Sequence, residues 1–204
     1  MRNLWKAGFL LIVVTALSGC YLPVRFDAEI EIDRAAFYSM IFDGYVAHLP
    51  LYGDLAAKKI DSLEERERAA RLKTDLTRDS AVKKFEYLKQ GIFRVHWEKK
   101  GDLLRHRMVT FFRRNAAMLT LKYNKNKRLI TLAAGGVMSP EVRQRILDGG
   151  LNMNGEVRVI TDARVESHNA TFTREMKDRP GKIMYVWRIE SIVAKMPSMV
   201  IVPG

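Results

Sequence analysis

Residues 24–33 read Val-Arg-Phe-Asp-Ala-Glu-Ile-Glu-Ile-Asp, and Val24, Phe26, Ala28, Ile30 and Ile32 alternate without a break with charged side chains. Successive side chains of a strand point to opposite faces, so this run predicts a strand with one buried face and one wet face. Such a strand needs neighbours to pair with and a second layer to cover its apolar side. The same period returns at Phe93, Val95 and Trp97, and again at Val157, Val159 and Thr161. The chain is thus built around a sheet.

The stretch 54–90 differs. It lacks glycine and proline and is dense in Ala, Leu, Glu, Lys and Arg, which predicts an inserted helical segment. Asp54 is a candidate cap for a first helix. Thr77 or Asp79 would cap a second helix carrying Val82, Phe85 and Leu88 and stopped by Gly91. The first helix is very polar, which reads as a solvated face with i,i+4 ion pairs or, more sharply, as an arm that projects to a partner. Before it, Asp43-Gly44 predicts a hairpin between strands at 36–42 and 45–49, with a single strand bulged at the glycine as the competing reading.

After it, Lys100-Gly101 predicts a hairpin pairing residues 92–98 with 102–108. That register would sort Phe93, Val95 and Trp97 to one face and Arg94, His96, Arg105 and Arg107 to the other. Strands at 117–123 and 128–134 follow, joined by Asn124-Lys125-Asn126-Lys127, where asparagine suits the positive φ of a tight turn. Ser139-Pro140 opens a short helix that Gly149-Gly150 ends. Further strands cover 155–161, 164–169 and 184–190. The expected fold is α+β: a mainly antiparallel sheet, one or two helices inserted after the first strands, and a short helix later.

Cys20 is the only cysteine, so no intramolecular disulfide forms. It follows a basic start (Arg2, Lys6), an apolar run from Ala7 to Leu17, and the small pair Ser18-Gly19. This is the layout of an export signal. Leu17-Ser18-Gly19-Cys20 resembles the bacterial lipobox. That resemblance implies removal of residues 1–19 and a membrane anchor of acyl chains such as palmitate on Cys20. The alternatives are an ordinary secretory signal or an uncleaved anchor. The remaining residues, 20–204, suffice for a single domain with a sizeable core. No later segment reaches the roughly 18 uninterrupted apolar residues of a membrane helix.

Charge is concentrated. Residues 83–128 hold 14 basic and 3 acidic side chains, a net +11 in under a quarter of the chain. An exported chain does not ordinarily meet nucleic acid, so the partner implied is an anionic lipid, a glycolipid or an acidic envelope protein. The candidate anion-binding residues are Arg94, Arg105, Arg107, Arg113 and Arg114, with a loop cluster of Lys125, Lys127 and Arg128. His48, His96, His106 and His168 lack metal-ligand spacing, and no nucleophile elbow, phosphate loop or dinucleotide fingerprint occurs. No metal site, cofactor or catalytic residue is therefore expected.

Gly155-Glu-Val-Arg-Val159, the strand ending at Asn169, and Tyr185-Val-Trp-Arg-Ile189 resemble the LppM-like bacterial lipoprotein domain over the last third of the chain. The strand after Cys20 resembles it more loosely. The resemblance implies an envelope-anchored α+β domain that handles lipids or glycolipids and carries no catalytic residues. Some members add a C-terminal membrane helix that this sequence lacks. Tyr21 stands where, in Gram-negative lipoproteins, an aspartate retains the protein at the inner membrane. This implies an outer-membrane location facing the periplasm if the cell has two membranes.

Overall fold

The computed structural model describes residues 21–111, 119–134 and 138–204. Cys20, Arg113 and Arg114 lie outside the described residues.

The alternating run is strand β1 (Tyr21–Ile32), and its apolar residues from Phe26 onward are all buried. β1 sits inside a seven-stranded sheet and pairs antiparallel with β2 (Phe37–His48) and parallel with β8 (Gly155–Thr161). β4 (Ile92–Asp102) and the edge strand β3 (Val82–Lys89) extend the sheet beyond β2. On the far side β8 is followed by β11 (Ile183–Ile189) and β10 (Phe172–Glu175).

A second, five-stranded sheet has the order β5 (Met108–Thr110), β6 (Leu119–Asn124), β7 (Leu129–Ala134), β12 (Met199–Val202), β9 (Arg164–His168). Every described pairing except β1–β8 is antiparallel, as expected for this α+β fold.

The two sheets share one apolar core. Phe111, which follows β5, meets Trp97 of β4 at 5.4 Å and Phe42 of β2 at 6.1 Å between ring centroids. Helix α1 (Leu49–Ala56) is capped by His48, whose Nδ1 accepts from the Leu51 amide, and carries Pro50 in its first turn. Helix α2 (Ser62–Leu76) is capped by Asp61, and α4 (Pro140–Asp148) by Ser139.

Four local expectations are corrected. Asp54 caps no helix: it lies inside α1, which begins at Leu49, and Asp61 caps α2. The second inserted helix is instead strand β3. Phe85 stacks on Phe93 at 4.6 Å, and Gln90 and Gly91, at φ 52° and 73°, form the tight turn into β4. Gly91 is a hairpin residue, not a helix stop.

Asp43-Gly44 is not a turn. β2 runs straight through it, and Gly44 lies opposite Phe26. A Cβ on Gly44 would stand 2.6 Å from the Phe26 Cβ, and one on Gly155, the opposing residue of β8, would stand 2.7 Å from the Phe26 ring. Both glycines therefore make room for Phe26, an aromatic side chain covering glycine across strands.

Nor is Lys100-Gly101 a turn. β4 continues through Gly101, and Asp102 then caps the one-turn helix α3 (Leu103–His106), accepting from the Leu104 and Arg105 amides. The chain crosses to the second sheet there, so residues 102–108 do not pair back onto 92–98.

Candidate binding surface

Crossing over at Asp102 separates the cationic residues that the expected hairpin would have gathered. Arg94 stays on the outer face of the large sheet and is fully engaged. Its guanidinium bonds the Asp43 carboxylate and donates to the Gly44 and Val95 carbonyls at 3.1 and 2.7 Å, 5.3 Å from the Tyr45 ring centroid. His96 stands beside it with Nδ1 2.8 Å from Asp43 and Nε2 2.8 Å from Glu98. Only an imidazolium donates from both nitrogens, so this clamp favours the charged ring. The hydrogen bond to Glu98 leads in raising the His96 pKa, with the Asp43 bond adding to it. Burial pushes the Asp43 carboxyl up, but the bonds from His96 and Arg94 outweigh it and hold the pKa below the ordinary value.

Much of the rest of that face is likewise internally paired. Arg158 meets Glu156, Glu29 and Asp27, and Glu31 takes both Lys182 and Arg179. β-strand alternation puts these charges on one face, where Arg158 lies opposite Glu29 and bridges the like-charged neighbours Asp27 and Glu156. An outer surface so neutralised has little charge left to offer a ligand.

The other candidates meet at one corner of the small sheet. Arg105 lies in α3, and Arg107, at φ 65°, follows it. The Tyr123 amide donates to the Arg107 carbonyl at 2.8 Å, and the guanidinium stands 5.4 Å from the Tyr123 ring centroid. Tyr123 leads into the β6–β7 hairpin, whose tip carries Lys125, Lys127 and Arg128. Asn124 shapes the tip by accepting from the amides of Asn126 and Lys127, while the positive φ falls on Arg128 rather than on an asparagine.

Lys122 belongs to the same corner, through its pairing with Met108. Sequence reasoning passed over it. Its signal was the alternation of β6, which sends Leu119 and Leu121 inward and Lys122 outward. All six of these basic side chains are exposed, and among the described residues none joins an ion pair. Phe37, Leu104 and Met108 are exposed apolar residues at the same end of the fold.

Strand direction decides where this corner sits. β1 rises from Tyr21 to Ile32, and β4, separated from it by the antiparallel β2, rises in the same direction to Asp102, so α3 and Arg107 lie at the end opposite Tyr21. Twelve residues of strand at about 3.3 Å each place the corner about 35–40 Å from Tyr21. The basic corner and Tyr21 thus stand at opposite ends of the strands.

The polar helix α2 is not a free arm. Ala69 and Leu76 are buried, the Tyr87 hydroxyl donates to Glu65, and the Gln90 amide donates to the same carboxylate. Burial, then the Glu65 bond, pushes the Tyr87 pKa up to about 12. Arg68 bridges Asp54 and Glu64 across α1 and α2. Among the described residues no group of three or more His, Cys, Asp or Glu is arranged to hold a metal ion, and no helix is long and apolar enough to cross a membrane.

No protein-family model matches the chain, and no curated protein matches it. Among solved structures, the chain is similar to the folded domain of Mycobacterium tuberculosis LppM, at 14% identity over 90% of each chain, with a TM-score of 0.41.

Proposed function

We propose that the chain is a non-enzymatic lipoprotein of the cell envelope, tethered through lipid on Cys20, which binds an anionic lipid or glycolipid at the basic corner. One observation carries the binding part. Most arginines on the large sheet's outer face are engaged by carboxylates, whereas Arg105, Arg107, Lys122, Lys125, Lys127 and Arg128 have no such partner among the described residues. Exposed Leu104 and Met108 beside Arg105 and Arg107 add apolar surface, which suits an amphiphile better than a simple anion.

The corner stands about 35–40 Å from Tyr21, several times the Debye length of about 8 Å at physiological salt. With the strands upright on the bilayer, the corner stands beyond the electrostatic reach of the leaflet that holds the tether, and its ligand arrives free or borne by another component. In a cell with two membranes the tether belongs to the outer one, on its periplasmic side.

Titrating the protein with short-chain phosphatidylglycerol below its micelle concentration tests the binding. Expected are shifts in the amide resonances of residues 103–108 and 122–128 that weaken with salt and are much smaller for phosphatidylcholine. Equal response to both lipids, or none at the corner, overturns the reading. Mass spectrometry of the N-terminal peptide from cell membranes tests the tether, since an unmodified peptide running through Cys20 refutes it.

A further inference from the structure

The end of the fold where Tyr21 enters is built from four elements. The Tyr21 ring packs on His48 at 5.0 Å and on Phe85 at 6.4 Å. The β3–β4 turn at Gln90-Gly91 lies at the same level, and Glu65 ties the first turn of α2 to it. On the other flank, the segment after β11 is held by the Ile192 amide, which donates to Asn152 Oδ1 at 3.0 Å. Asn152 precedes Asn154, whose amide bonds the Val24 carbonyl near the start of β1.

Three large apolar side chains point to solvent there: Leu63 is 58% exposed, Leu88 50% and Val193 58%. Each has exposed lysine nearby in the chain, Lys58 and Lys59 before Leu63, Lys89 after Leu88 and Lys195 after Val193. β3 and β11 are five places apart in the sheet, so Leu88 and the end of β11 that leads to Val193 stand about 24 Å apart with the start of β1 between them. The three apolar points flank Tyr21, the first described residue.

We propose that this end rests on a lipid bilayer, with Leu63, Leu88 and Val193 entering the interfacial zone and Lys58, Lys89 and Lys195 meeting anionic headgroups. The proposal rests on the tether reading. Apolar exposure alone does not select this end, because Phe37, Leu104 and Met108 are exposed at the other. The position of Tyr21 selects it, since the apolar run Ala7–Leu17 and Cys20 immediately precede it. A short connection holds these residues against the bilayer at high effective concentration, so modest apolar and lysine contacts suffice to orient the domain.

The test uses the full chain in vesicles of phosphatidylcholine and phosphatidylglycerol, with a trace of phosphatidylcholine carrying a photoreactive diazirine high on one acyl chain. Mass spectrometry of the crosslinked peptides reads the covered surface. Adducts at Leu63, Leu88 and Val193 are expected to exceed those at Phe37, Leu104 and Met108 by about an order of magnitude, because the second set stands about 35–40 Å away. The triple variant L63D/L88D/V193D still floats with vesicles but loses the adducts at those positions. Flotation with adducts at the distal set, or only in the N-terminal peptide, overturns this inference and leaves the tether intact. Failure of the wild-type chain to float overturns both.

Discussion

Asn169 ties the two sheets together through Trp187. The indole Nε1 donates to Asn169 Oδ1 at 2.7 Å, and the same oxygen accepts from the Ser198 amide at 2.8 Å. Asn169 Nδ2 donates to the Met196 carbonyl at 3.0 Å. Asn169 stands where the chain leaves β9 of one sheet for β10 of the other, so one amide side chain holds β11, the 190–198 segment and the crossing point. Trp187 is only 2% exposed, and its donor has no route to water. Asn169→Ala is expected to cost about 2–3 kcal/mol, the loss of a bracket plus a buried donor left unsatisfied, read by urea denaturation. Asn169→Asp retains the acceptor and is expected to cost less.

Phe26 explains two glycines. Gly44→Ala is expected to lose about 1–3 kcal/mol by overpacking, because its Cβ meets the Arg25 carbonyl at 2.4 Å. Gly181 differs: it sits at φ +83° with no atom within 4 Å of the place a Cβ would occupy, so only backbone strain opposes substitution. Thermal melts should show Gly181→Asn nearly as stable as the parent, since asparagine tolerates that region, and Gly44→Asn worse than Gly44→Ala.

The histidines titrate in opposite directions. Burial lowers His48 to about 4, with Arg68 adding to the shift, while the carboxylate clamp raises His96 above its ordinary value. His96 contributes stability that is fully present below about pH 6.5 and is lost as pH rises through its raised value. His48 acts the other way: its neutral form is the folded one, so its contribution is full above about pH 6.5 and declines as pH falls toward 4. Histidine ring NMR titration checks both. In addition, His96→Gln should lose the alkaline decline that the parent shows.

Removing the ring between the sheets should be costly. Phe111 is fully buried against Trp97 and Phe42. Phe111→Ala is expected to destabilise by about 3–5 kcal/mol in equilibrium unfolding.

Charge reversal at the hairpin tip should separate binding from folding. Lys127→Glu with Arg128→Glu changes two exposed side chains that have no ion-pair partner among the described residues, so stability should move by less than about 0.5 kcal/mol per substitution. The lipid-induced resonance shifts at the corner should be largely abolished.

Much of the fold was legible because some signals are local. The alternation of β1, the Ser139-Pro140 start of α4 and the Asn124 turn each need only the residues beside them. The errors arose where the deciding partner is distant. Residues 82–89 have helical composition, yet Phe85 finds Phe93 and Tyr87 finds Glu65. Asp43-Gly44 reads as a turn until Phe26 and its need for space are known. Lys100-Gly101 reads as a hairpin until Asp102 is seen capping α3. The same misread turn grouped Arg94 with Arg105 and Arg107, whereas Asp43 holds Arg94 on the other sheet.

By itself the sequence determined which strands have a buried face, where the excess positive charge lies along the chain, and that residues 7–20 resemble a lipoprotein export signal. Periodicity, composition and short motifs are properties of neighbouring residues, so they survive without a fold. Only the tertiary structure decided which basic residues are neutralised and that Arg105, Arg107 and the hairpin-tip cations stand together at the end opposite Tyr21. Pairing of charges and distance across a sheet depend on strand order and direction, which long-range packing sets.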